Sequence, residues 1–161
     1  MKKFSPKFTI RALLLLMLVS AAATALWHRA QVYRQNRMAA KTTPLNWQNF
    51  DQTMIDKILS DGKPVLVVYY SHWKDRPLWR LDTEEVRLAI FDKNVEIFSG
   101  NCHYDILNER GTVRAWNKIQ RPDGESWFGA IYYPDSTIST FKWVPDAKQF
   151  ASSAVEKILA R

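Results

Sequence analysis

Residues 61–80 read DGKPVLVVYYSHWKDRPLWR, and this stretch decides the fold. Asp61-Gly62 is a turn signal that ends whatever precedes it. Pro64 to Tyr70 is then a continuous apolar run, PVLVVYY. It is too short for a buried helix and has a helix breaker at its head. No polar residue alternates within it, so both faces of this strand must be covered. That is the pattern of a central strand in a parallel sheet, packed by helices on either side. The polar residues that follow, Ser71 to Arg76, lie beyond its carboxyl end, where open α/β sheets place their sites.

Working outward, Trp47, Phe50, Met54 and Ile58 fall at helical spacing and predict a helix from Asn46 that Asp61-Gly62 terminates. Downstream, Asp75 can cap a helix with Pro77 in its first turn. Asp82 and Glu85 offer a second start in capping-box spacing. Leu78, Leu81, Val86 and Ile90 supply the buried side. Val95 to Cys102 reads as a second strand, and Thr112 to Ile119 as a helix with Val113, Trp116 and Ile119 as its apolar stripe. Trp127 to Tyr133 and Ser136 to Val144 are strands joined at Pro134-Asp135 in an antiparallel hairpin. Asp146 caps a closing helix in which Phe150, Ala154 and Ile158 align. The order is helix, strand, helix, strand, helix, strand, strand, helix. It describes an α/β domain with a central four-stranded mixed sheet flanked by helices.

A βαβ unit followed by a hairpin and a closing helix is the thioredoxin architecture. Residues 61–80 resemble the thioredoxin opening: a helix end, a buried strand, then Trp ahead of a C-x-x-C pair. More specifically, residues 46–161 resemble the C-terminal thioredoxin-like domain of membrane thiol:disulfide interchange proteins. DTEEVRLAIFDKNVEIFSGNC (82–102) is similar to that family's segment after the cysteine helix, and GAIYYPD (129–135) to its third strand. Two departures stand out. Lys74 and Pro77 occupy the two cysteine positions, and Trp127 or Phe128 matches the position of the family's cis-proline. Disulfide exchange needs a thiolate and a second sulfur that resolves the mixed disulfide. Dithiol oxidoreductase chemistry is therefore excluded at that corner, and the resemblance implies a redox-inactive scaffold.

What remains at the corner suggests binding. Lys74 and Arg76 stand at a predicted helix N-terminus, which favours anions; the plainer reading is charges solvated on a loop. Trp73, Trp79, Trp127, Tyr132 and Tyr133 are aromatic candidates for a groove, and some of them belong to the core. The expected binding surface is Trp73, Lys74, Asp75, Arg76 and Trp127, facing a protein or peptide. A different chemistry would use His72, Cys102 and His103, which gather if the two predicted strands are parallel neighbours. A thiolate beside histidine is a nucleophile, and the trio could ligate a metal. Cys102 alone could also form a mixed disulfide with a partner. The plain alternative is a small buried cysteine at a strand end with histidines on surface loops. Because Cys102 is the single cysteine, neither an intramolecular disulfide nor a cysteine-rich zinc site can form. No cofactor and no metal is expected.

The net charge of +7 is not a nucleic-acid signal, because it belongs to one end of the chain. Residues 1–45 hold eight bases and no acid, whereas residues 46–161 hold 15 bases and 16 acids. A phosphate-binding surface needs positive charge clustered on the folded domain, so no nucleic-acid partner is expected. Residues 12–27, ALLLLMLVSAAATALW, carry no charge. Counted from Phe8, with Arg11 snorkelling, the segment is about 30 Å of helix, enough for the hydrocarbon core. Trp27 would sit at the far interface.

The expected organisation is a basic flank (1–11), a transmembrane anchor (12–27), a basic tether (28–45) and a thioredoxin-like domain (46–161). Membrane lipid is the expected partner of the N-terminal helix, with the flanking bases facing anionic headgroups. Ala23-Thr24-Ala25 also fits a signal-cleavage site, which would release a secreted protein. The flanks balance in charge, and the free amine tips the N-terminus inside. The resemblance implies a bacterial inner membrane with the domain outside the cytoplasm. The expected function is thus a membrane-anchored, redox-inactive module that binds a protein or peptide.

Overall fold

The computed structural model describes residues 10–70, 77–101, 127–142, 144 and 146–160. The chain divides into two compact units, Met1–Ala39 and Ala40–Arg161.

The first unit is dominated by α1, an unbroken helix over Ile10–Thr42. Its 33 residues correspond to about 50 Å, more than a hydrocarbon core requires. The leucines of its amino half are exposed, as are Met17, Val19 and Trp27. This helix is long and apolar enough to cross a membrane. Two of its hydroxyls are satisfied within it: Ser20 donates to the Met17 carbonyl (2.9 Å) and Thr24 to the Ser20 carbonyl (2.8 Å). Residues 28–42, read from sequence as part of a basic tether, continue the helix.

The second unit has the thioredoxin-like fold, a mixed sheet with helices on both faces. Its strands are β1 (Gln48–Asn49), β2 (Val65–Tyr70), β3 (Glu96–Asn101), β4 (Trp127–Tyr132) and β5 (Ile138–Lys142). They lie in the order β1-β3-β2-β4-β5. β1 and β2 run parallel to β3, whereas β4 is antiparallel to β2 and β5 to β4. All six residues of β2 are buried, as its uninterrupted apolar sequence requires. Successive side chains point to opposite faces. Leu66 and Val68 join the cluster beneath α3 (Glu84–Lys93) and α4 (Ala147–Leu159), with Val86 and Phe150. Val65, Val67 and Tyr69 join Phe50, Ile55 and Phe98 beneath α2 (Gln52–Ser60).

The sheet has five strands where the sequence suggested four. β1 is only two residues long and carries no period of its own. Its presence displaces the predicted first helix. Trp47 and Phe50 are not helical; the Phe50 N–H donates to the Ser99 carbonyl at 2.9 Å and continues the β1–β3 ladder. The helix starts only when the Asp51 carboxylate accepts the Met54 N–H (3.1 Å). Ile55, rather than Met54, is then its buried residue.

A 3₁₀ turn, Pro77–Leu81, precedes α3. The cap of α3 is Thr83, whose hydroxyl accepts the Val86 N–H at 3.3 Å, and not Asp82. Asp82 is engaged elsewhere, by Arg87 at 2.7 Å. The hairpin turn is set by Asp135, whose carboxylate accepts both the N–H (3.0 Å) and the hydroxyl (2.6 Å) of Thr137. Asp146 caps α4 through the Gln149 N–H (2.9 Å), and Phe150, Ala154 and Ile158 are buried along it. The helix predicted over Thr112 to Ile119 and the Asp75 cap lie outside the described residues.

Candidate functional site

The register of the sheet defines one row at the carboxyl end of the parallel strands. Tyr70 of β2 stands opposite Asn101 of β3 on one side and Trp127 of β4 on the other. Adjacent strands are about 4.8 Å apart, so the three backbones meet within about 10 Å. β2 is described to Tyr70 and β3 to Asn101, and β4 is described from Trp127. Of the predicted surface, Trp127 therefore has a fixed position, at the first residue of β4. Trp73, Lys74, Asp75 and Arg76 lie outside the described residues, as do His72, Cys102 and His103. His72 follows Tyr70 by two residues in sequence and Cys102 follows Asn101 by one. The row thus joins the strand ends from which both candidate sets extend.

Just past the corner, Trp79 lies in the 3₁₀ turn with 66% of its surface exposed. The Arg80 guanidinium stands 5.2 Å from its ring centroid, a cation–π contact. The other grouped aromatics have different work. Tyr132 lies at the opposite end of the sheet, opposite Val65, and its hydroxyl meets that of Tyr69 at 2.5 Å. Tyr69 also packs on Phe50, ring centroids 5.9 Å apart. The buried Tyr133 donates its hydroxyl to the Lys157 carbonyl at 2.9 Å, fixing α4 to the end of β4. Tyr132 and Tyr133 therefore hold the fold and do not line the corner.

Among the described residues, no group of three or more His, Cys, Asp and Glu is placed to hold a metal ion. A surface depression lined by Asn49 to Thr53, at the start of α2, contains none of the predicted residues. The acidic run before α3 has specific partners that the sequence did not reveal. Asp82 accepts from Arg87 (2.7 Å) and from the Leu45 N–H (3.3 Å), and Glu84 pairs with Lys41 at 2.9 Å. Glu85 is exposed, and its carboxyl is held below the ordinary carboxylate range. The bond from its own backbone N–H is the main cause, followed by the Thr83 hydroxyl and the charge of Arg87. Asp82 and Glu84 thus fasten neighbouring segments, and Glu85 is held ionised in the first turn of α3.

No family model matches the sequence, and no curated protein matches it. Solved structures that are similar include spinach chloroplast thioredoxin f in its long form, at 17% identity, with 76% of this chain and 92% of that one covered and a TM-score of 0.46. A mutant thioredoxin of Halobacterium salinarum NRC-1 is 14% identical, over 73% of this chain and 94% of that one, at a TM-score of 0.45. Human ERp44 in its zinc-bound form is 14% identical, over 70% of this chain but 30% of that one, also at 0.45. Likenesses this distant say nothing of function. The fold rests on strand order, register and the two core layers.

Proposed function

We propose that the protein is a single-pass, membrane-anchored thioredoxin-like module that performs no dithiol redox chemistry and binds a protein or peptide at the carboxyl end of its central strands. The observation that carries this reading is a sheet with all its strands beside a sequence with one cysteine. A scaffold kept without its redox pair retains a surface for binding and, through α1, an anchor. The binding surface in this reading comprises Trp73, Lys74, Asp75, Arg76 and Trp127. Its cationic and aromatic composition suits an interface centre, where Trp and Arg are enriched. The anchor is α1, with the domain outside the cytoplasm.

A second reading is supported by the register. Asn101 shares the row with Tyr70 and Trp127, and Cys102 is the next residue in sequence. A partner held by a mixed disulfide through Cys102 would then use the same corner. Capture from native membranes without reductant separates the two, comparing wild type, Cys102→Ser and Trp73→Ala/Lys74→Ala. The binding-module reading expects a partner lost only from the Trp73/Lys74 variant. A partner released by reductant and absent from Cys102→Ser overturns it, as does reduction of insulin disulfides above background by the purified protein.

A further inference from the structure

Among the described residues of 46–161, four large apolar side chains are exposed: Met54, Trp79, Ile138 and Leu159. Trp79 is the most open of them, at 66% against 48% or less for the other three. Tryptophan is highly buried on average, so a ring this open calls for an explanation.

The backbone that carries the ring is fixed. Trp79 lies in the 3₁₀ turn Pro77–Leu81. Leu78, just before it, packs partly buried on the core cluster beneath α3 and α4, and Leu81 is fully buried in that cluster. The Trp79 carbonyl accepts the Asp82 N–H at 3.2 Å. The Arg80 guanidinium stands 5.2 Å from the ring centroid. The turn is thus pinned by burial on both sides of a ring that faces solvent. A side chain presented from a pinned backbone gives up less freedom on binding than one on a loose loop.

The charge beside the ring selects its partner. Residues 73–80 hold three bases and one acid, whereas the rest of residues 46–161 hold 12 bases and 15 acids. Of the acids that follow the turn, Asp82 is engaged by Arg87 at 2.7 Å and Glu84 by Lys41 at 2.9 Å. Tryptophan and arginine recur together at interface centres. A cation beside an apolar ring is complementary to a carboxylate beside an apolar side chain.

We infer that Trp79 and Arg80 anchor an acidic peptide segment, the indole covering an apolar side chain and the Arg80 charge facing a carboxylate. The inference rests on the binding-module reading and names its partner as acidic. Trp79 follows Arg76 by three residues, so the pair extends the proposed surface along the chain.

Fluorine NMR on the full chain, labelled with fluorinated tryptophan and held in phosphatidylcholine nanodiscs, tests it. Trp79→Phe assigns the Trp79 signal. A short peptide in which Glu alternates with Leu is expected to move that signal, and to bind Trp79→Ala about tenfold more weakly or worse. Arg80→Gln is expected to weaken binding about threefold, and so is replacing every Glu of the peptide by Gln. The peptide comparison uses the wild-type protein and needs no variant to fold. An unmoved Trp79 signal, equal affinity for the Gln peptide, or undiminished binding by Trp79→Ala overturns the inference. So does a Trp79 signal that moves when phosphatidylglycerol replaces phosphatidylcholine but ignores the peptide, which would assign the ring to lipid. Peptide binding lost in Trp73→Ala/Lys74→Ala and kept in Trp79→Ala overturns this inference and leaves the binding-module reading standing. That reading fails on different results, insulin reduction or a partner lost with Cys102.

Discussion

The two ends of the central sheet are made from the same three strands and are fastened differently. At one end Val65, Glu96 and Tyr132 share a row, closed by the Lys63–Glu96 pair at 3.3 Å and the Tyr69–Tyr132 hydroxyl contact. At the other, Tyr70, Asn101 and Trp127 share a row. The strand interiors between these rows are fixed by burial, and burial tolerates little change. A reactive end depends on a few side chains that the core does not need. On the proposed reading, Lys74 and Pro77 stand where a thioredoxin carries its two cysteines, and exchange chemistry is lost while the strand order is kept.

That contrast can be broken from the middle outward. Phe98 is fully buried and pairs with Val67 midway between the ends. Phe98→Ala should cost about 3–5 kcal/mol, and both ends should lose protection together in denaturant-dependent hydrogen exchange. Independent melting of the two rows would show that they are not one cooperative unit. Gly129 comes next. A Cβ there would overlap the ring of Phe141, which covers it from β5. Gly129→Ala should therefore destabilise by about 1–3 kcal/mol through overpacking. Gly129→Ala/Phe141→Leu should recover part of the loss in urea titration.

Removing a cap acts on neither row. Asp146→Ala frees the Gln149 N–H and should cost about 1 kcal/mol in thermal or urea unfolding. Partner capture should be unchanged. The smallest effect is electrostatic. Glu85 has a folded pKa held below its unfolded value, so its contribution to stability is present above the unfolded value and lost as pH falls through the folded one. Glu85→Gln should be slightly less stable than wild type at neutral pH. The two should converge once the pH has fallen through that lowered folded value, as read by urea midpoints across pH.

Much of the fold is legible in the sequence where one signal suffices. β2 follows from an unbroken apolar run, the hairpin from Pro134-Asp135, and α4 from Asp146 with Phe150, Ala154 and Ile158. The departures occur where a distant partner decides. β1 has two residues and exists because β3 offers a ladder to them, which also takes Phe50 away from the helical spacing it shares with Met54. Thr83 caps α3 because Asp82 is drawn to Arg87 and Leu45, and the Leu45 bond spans 37 positions of sequence. The Tyr69–Tyr132 contact spans 63. The corner is legible as a composition, Trp73 to Arg76, and as a missing pair of sulfurs. Its geometry, Tyr70 between Asn101 and Trp127, follows only from register.

Photo-crosslinking in native membranes compares the two ends directly, with p-benzoylphenylalanine at position 127 in one sample and at position 63 in another. The account predicts one protein adduct from position 127, stable to reductant and retained in Cys102→Ser, and none from position 63. The same adducts from both positions, no adduct from position 127, or an adduct lost in Cys102→Ser would contradict it.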